Sequence, residues 1–362
     1  MVSIASVVPI VLARLEDLLC EVAPPPPESG ATFDATHIFS APRAVLRSHY
    51  GSRGGWQRFA EPVWHALGAD TNSETTYAVH VHQGNLFAAG ADGVRCYDPD
   101  EQTWTTLNAG LAQPLWSKNP TITALATFDE TLYAVLWNGV HELFWLDPFT
   151  WQWQPDMTAP AQVRSVLAVD GLFFVGTNNA VYVRTADTMF WTPLGQHLAS
   201  TVKTLSIVDG HLFAGTFAGK LYRYHVATAQ WVLAVPPLGM QFIHAVQRFG
   251  AYLYIGGESQ TVRCQQTSAQ WDAKATCSAL SSLQGFPKQS ATQDVMVFGG
   301  QLFAATPDGV LQFTPSQDAW HFVNDGLLPD AADAPYAFAF TNFEQHLVAG
   351  TAFGVYQLDA GL

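Results

Sequence analysis

The sequence predicts an all-β chain folded as a seven-bladed β-propeller of four-stranded blades, with a short helix ahead of it. Three observations carry this prediction. A leucine-led strand motif recurs seven times, a tryptophan follows it at near-constant distance, and an orphan copy of the last strand near the N-terminus completes the final unit.

The motif is an apolar strand, a tight turn, then leucine, an aromatic and small residues. It reads Leu86-Phe87, Leu132-Tyr133, Leu172-Phe173, Leu212-Phe213, Leu253-Tyr254 and Leu302-Phe303, with Leu347-Val348 as a weaker seventh. Successive leucines lie 46, 40, 40, 41, 49 and 45 residues apart. Trp104, Trp153, Trp191, Trp231, Trp271 and Trp320 follow the first six, and Gly and Asp turn signals cut each unit into four short strands. The seventh unit runs to Leu362 without a tryptophan, whereas Glu61-Pro-Val-Trp64-His-Ala-Leu67 parallels Glu101-Gln-Thr-Trp104-Thr-Thr-Leu107. The N-terminal strand therefore closes the last blade, which removes the exposed edges of an open array.

Composition agrees with a large packed core. Of 362 residues, 48% are hydrophobic and 13% charged, with 12 Trp and 23 Phe. A net charge of −14 without a basic cluster repels phosphate, so nucleic acid and anionic membrane are excluded as partners. No stretch approaches the roughly 20 apolar residues of a membrane span. The run Val2 to Ala13 lacks a basic n-region and a small-x-small cleavage site. That disfavours a secretion signal and favours a cytoplasmic location. Four cysteines are too few for a disulfide framework. The hairpin reading of unit five puts Cys277 several residues beyond the position opposite Cys264, which disfavours a bridge between them.

Ahead of the propeller, Val8, Val11, Leu15, Leu18 and Val22 fall on one helical stripe, so residues 1–23 read as an amphipathic helix. It stops before Pro24-Pro-Pro-Pro27. Residues 24–55 form a Pro- and Gly-rich connector, and 56–362 form the propeller. The stripe packs on its own propeller, docks on a partner or belongs to a processed leader.

Two family resemblances emerge. Tyr97-Asp98-Pro-Asp-Glu-Gln-Thr-Trp104 and Leu146-Asp147-Pro-Phe-Thr-Trp-Gln-Trp153 resemble the third and fourth strands of kelch repeats. Val175-Gly-Thr-Asn-Asn-Ala-Val-Tyr182 and Ala349-Gly-Thr-Ala-Phe-Gly-Val-Tyr356 resemble Asp-box and two-component-regulator propellers, as do Asn108-Ala-Gly-Leu111 and Asn324-Asp-Gly-Leu327. Together they span about residues 56 to 362. Because those families include lectins, hydrolases, oxidases, sensors and scaffolds, the resemblance implies a fold and not a function.

Loop lengths point to one face. The tryptophan-to-next-leucine intervals are 22, 28, 19, 21, 22, 31 and 27, so the additions follow Trp104, Trp271 and Trp320. These inter-blade loops share a face with the second-to-third-strand loops. Long connections on a rigid scaffold carry binding residues, which makes Trp116, Lys118, Phe286, Lys288, Gln289, Asp330, Asp333 and Tyr336 the candidates. The alternative is that these loops merely cover the channel mouth.

Chemistry is sparse. His80 and His82 share one side of a strand, with His244 as a third candidate metal ligand; the competing reading is a hydrogen-bonded histidine near the channel. The arginine set of a sialidase and the Tyr, His and Cys arrangement of a copper oxidase are not assignable. The tryptophans read as inter-blade packing rather than sugar pockets, and the Gly-Thr pairs as turns capped by a hydroxyl. The expectation is a non-catalytic protein-binding or scaffold propeller without a cofactor, docked through its helix. A carbohydrate-binding lectin is the alternative, and an oxidase or glycosidase the third.

Overall fold

The computed structural model describes residues 47–48, 56–57, 62–68, 75–111, 119–137, 139–188, 190–267, 271–287, 290–328 and 335–359. The stripe of Val8, Val11, Leu15, Leu18 and Val22 lies outside them. Arg47–Ser48 pairs with Trp56–Gln57 before the ring begins. Seven antiparallel four-stranded sheets then follow in chain order, each a meander of neighbouring strands. The first strands are Thr76–His82, Ile122–Phe128, Ser165–Val169, Val202–Val208, Ile243–Phe249, Asp294–Phe298 and Ala337–Phe343, and they define blades one to seven.

Blade seven is completed from the other end of the chain. Val63–Ala66 pairs antiparallel with Gly354–Asp359, matching Trp64 to Leu358. All seven motif leucines are fully buried in the second strands. Those strands are buried along nearly their whole length because each lies between two sheets of its ring.

The tryptophans are inter-blade clamps. The indole Nε1 of Trp64, Trp104, Trp153 and Trp231 donates to the carbonyls of Val323, Leu67, Leu107 and Leu194, each just past the fourth strand of the preceding blade, at 2.6–2.7 Å. Asn108-Ala-Gly-Leu111 and Asn324-Asp-Gly-Leu327 are the matching latches. Asn108 Oδ1 accepts from Val94 N–H, and Asn324 Oδ1 from Val310 N–H, tying each loop to its own blade. At Gly110 (φ +89°) and Gly326 (φ +90°) a Cβ would lie 2.1 and 2.0 Å from the carbonyls of Trp153 and Trp64, so only glycine lets the next blade approach. The Gly-Thr pairs cap turns as expected: Thr177, Thr216 and Thr351 donate to the carbonyls of Ala180, Lys220 and Gly354.

The structure corrects the reading of the cysteines. Cys264 and Cys277 are directly paired across strands and bonded to each other. The fourth strand of blade five is Thr276–Ala279, later than the repeat indicated. Trp271 holds its inter-blade place, fully buried, while the chain behind it turns once more: Asp272 Oδ1 accepts from Lys274 N–H, and its carbonyl from Ala275 N–H, before pairing begins.

Candidate functional site at the mouth of the ring

The antiparallel meander puts the inter-blade and second-to-third-strand loops on one face, where each first strand begins. At that end the first strands are irregular. Register shifts skip Tyr77, Thr123, Lys203, His244 and Phe338 in blades one, two, four, five and seven. In blades three and six Arg164 and Gln293 donate their N–H to Gly176 and Ala305, which already pair with the following residue. Each blade thus carries a bulge at its rim, and bulges re-aim the extra side chain. Seven different residues occupy the seven positions.

These residues form linked groups around the rim. Arg164 lies over the Trp137 ring at 5.0 Å and 3.8 Å from Glu142. His244 Nε2 meets Glu258 Oε2 at 2.9 Å. Burial lowers the pKa of Lys203, opposed by the field of Glu258, and burial also lowers that of His244. Among the described residues Lys203 has no ion pair within 4 Å, and the buried Thr123 Oγ1 has no hydrogen-bond partner. Tyr336 stacks on Phe338 at 4.3 Å, Phe338 meets Tyr77 edge-on at 5.1 Å, and Gln293 Nε2 donates to the Tyr336 hydroxyl at 3.3 Å. Phe217 and Phe242 add an edge-on pair beside His244.

Of the loop candidates, Tyr336 joins this rim. Phe286 is buried at 6% exposure, edge-on to Trp320, in the place where Leu111 and Leu327 sit in their own latches. Trp116, Lys118, Lys288, Gln289, Asp330 and Asp333 lie outside the described residues.

The histidines are not brought to one point. His80 Nε2 and His82 Nδ1 both bond the Thr127 hydroxyl, at 2.8 and 2.9 Å, whereas His244 is held by Glu258. Among the described residues no group of three or more His, Cys, Asp or Glu is placed to hold a metal ion. Burial and the neighbouring His82 push the His80 pKa down to about 4, so that imidazole is neutral between blades one and two at pH 7.

Sequence reasoning missed most of the rim, yet a signal exists. Each bulge residue stands nine positions before its motif leucine, or eight in blade three. That column reads Tyr, Thr, Arg, Lys, His, Gln, Phe, while the columns beside it are apolar or small except at Asp294.

No family model matches the chain, and no curated protein matches it. Solved structures do. The extracellular domain of a one component system from B. thetaiotaomicron superposes with a TM-score of 0.64 at 14% identity, covering 82% of this chain and 39% of that one. YCF48 from Cyanidioschyzon merolae gives 0.60 at 10% identity, covering 82% and 98%. The Cps50 (Swd1) β-propeller domain from Myceliophthora thermophila gives 0.55 at 12%, covering 82% and 99%. The shared feature is the propeller. At these identities the likeness is one of fold, and it does not single out the kelch or Asp-box families. Among the described residues no helix is long and apolar enough to cross a membrane.

Proposed function

We propose that this chain is a non-catalytic binding propeller that engages a protein partner through its loop-rich face. The observation that supports this reading is the rim itself. A repeat whose motif leucines stay uniform diversifies completely at one bulged position, at the loop-rich end of the first strands. Arg164, Lys203 and His244 stand on consecutive blades, flanked by aromatic rings, a mixture suited to a polar protein surface with apolar anchors. The N-terminal stripe of Val8, Val11, Leu15, Leu18 and Val22 serves in this reading as a second attachment.

The test is affinity purification from the native source with wild type, the Lys203→Ala/His244→Ala double variant, and a chain starting at Glu28. A stable partner lost with the rim variant supports the reading, and loss on truncation assigns the N-terminal segment a share. Equal recovery from all three refutes it.

A further inference from the structure

A second site lies on the opposite face, where the hairpins between third and fourth strands turn. A cleft of ≈ 540 Å³ opens between blades one and two, lined by Asn85, Cys96, Asp98, Asp100, Thr105 and Trp151 among others. Its origin is one substitution in the repeat. Cys96 pairs with the residue after the motif leucine, and the residues so placed in blades two, four, five, six and seven are Trp145, Arg223, Arg263, Gln312 and Gln357. Elsewhere long side chains reach from this place to the next blade: Arg223 reaches the Trp271 carbonyl, and Arg263 pairs with Asp318. Blade three is one residue out of register: Arg184 turns back to blade two, and the short Val183 facing blade four is packed within an apolar cluster. In blade one the short side chain is Cys96, and the cleft opens beside it.

The wall of the cleft carries a second anomaly. Trp151 sits two residues before the clamp Trp153, at φ +55°, in the left-handed turn position that Gln102, Ala229 and Asp318 hold in their blades. A bulky ring is disfavoured there, and it is also left 49% exposed. Packing does not account for an aromatic held in an unfavourable backbone conformation and half in water; a ligand lying on its face does.

We propose that this cleft binds a neutral sugar ring stacked on Trp151. The negative face of an indole attracts the polarised C–H groups of a pyranose. Asp98 Oδ1 already accepts from Asp100 N–H and Glu101 N–H, at 2.9 and 3.1 Å, which orients its second oxygen as an acceptor. Asp100 adds carboxylate acceptors, Thr105 a hydroxyl and Asn85 an amide, the groups that sugar hydroxyls pair with. An ammonium ligand would want several aromatic faces around it. Tyr97 does not supply one, being buried against Trp104 and Phe343. Two carboxylates in the lining reject uronic acids.

The experiment titrates wild type with neutral tetrasaccharides of glucose, mannose, galactose and xylose, read by tryptophan fluorescence and saturation-transfer NMR. The comparison variants are Cys96→Gln, which restores the filler of blades six and seven, and Trp151→Ala. At least one saccharide binds wild type, and each variant weakens it about tenfold or more with its unfolding midpoint near wild type. No binding to wild type at about 10 mM, or binding that survives both variants, overturns the proposal. So does a cationic peptide that occupies the cleft in their place. The cleft and the rim lie on opposite faces, so neither result bears on the partner reading.

Discussion

Trp231 and Trp320 offer a matched test of the inter-blade clamp. Both are 3% exposed and both stand on fourth strands. Trp231 Nε1 donates to the Leu194 carbonyl at 2.7 Å, whereas Trp320 Nε1 has no partner among the described residues. Phenylalanine at either place removes the same atoms and leaves the same void, so the difference between the variants isolates the hydrogen bond. Stranding a buried carbonyl costs about 1–3 kcal/mol. A ring of roughly 300 residues unfolds with an entropy near 0.6 kcal/mol per kelvin, so this converts to about 2–5 °C. Trp231→Phe should therefore melt about 2–5 °C below Trp320→Phe in scanning calorimetry or by circular dichroism. Equal midpoints, or a lower midpoint for Trp320→Phe, would refute the view that the indole N–H, rather than ring volume alone, holds the blades together.

Three further outcomes follow from the same geometry. Gly326→Ala forces a side chain to φ +90° and against the Trp64 carbonyl, and should cost about 2–4 kcal/mol in urea unfolding; Gly84→Ala, where nothing lies within 4 Å, should cost about 1 kcal/mol from backbone strain alone. Because the His80 pKa is lowered to about 4, the unfolded chain takes up a proton below about 6.5 while the folded chain does not. Stability is then lost as pH falls from 6.5 towards 4, by about 2 kcal/mol at pH 5, and Cm of His80→Gln should drop less than wild type between pH 7.5 and 5. Asp294 has the opposite sign: burial raises its pKa to about 6, so the folded chain holds that proton and gains stability as pH falls from 6 towards 3.8. Asp294→Asn should therefore lose more on acidification than wild type, measured the same way.

The ring was legible because its determinants are local and repeated. A buried leucine, a turn and a tryptophan at fixed spacing survive as a pattern even where the other residues vary. Trp64 shows that ring closure could be read as well, since the same strand motif stood apart from any leucine. Cys277 shows where spacing failed: the extra turn after Trp271 changes register without moving the tryptophan, so the leucine-to-tryptophan interval carried no sign of it. The rim escaped for a different reason. A bulge shifts pairing by one residue, and the seven bulge residues share neither size nor charge, so periodicity does not report them. Loop length pointed to the face that carries the rim, and there it named Phe286, an aromatic that the latch needs for its own packing.

The pairing of Val63–Ala66 with Gly354–Asp359 also sets an order of events during synthesis. Strands within a blade find partners a few residues away, so the inner blades can assemble as they emerge. The closing strand is made first and must wait, unpaired, until nearly the whole chain has followed it. Its contact has the largest sequence separation in the ring, and closing so long a loop adds an entropic barrier that no other strand pairing faces. A ribosome stalled anywhere before blade seven would therefore hold an open arc of finished blades with two bare edges, the form of this chain most exposed to mispairing with its neighbours.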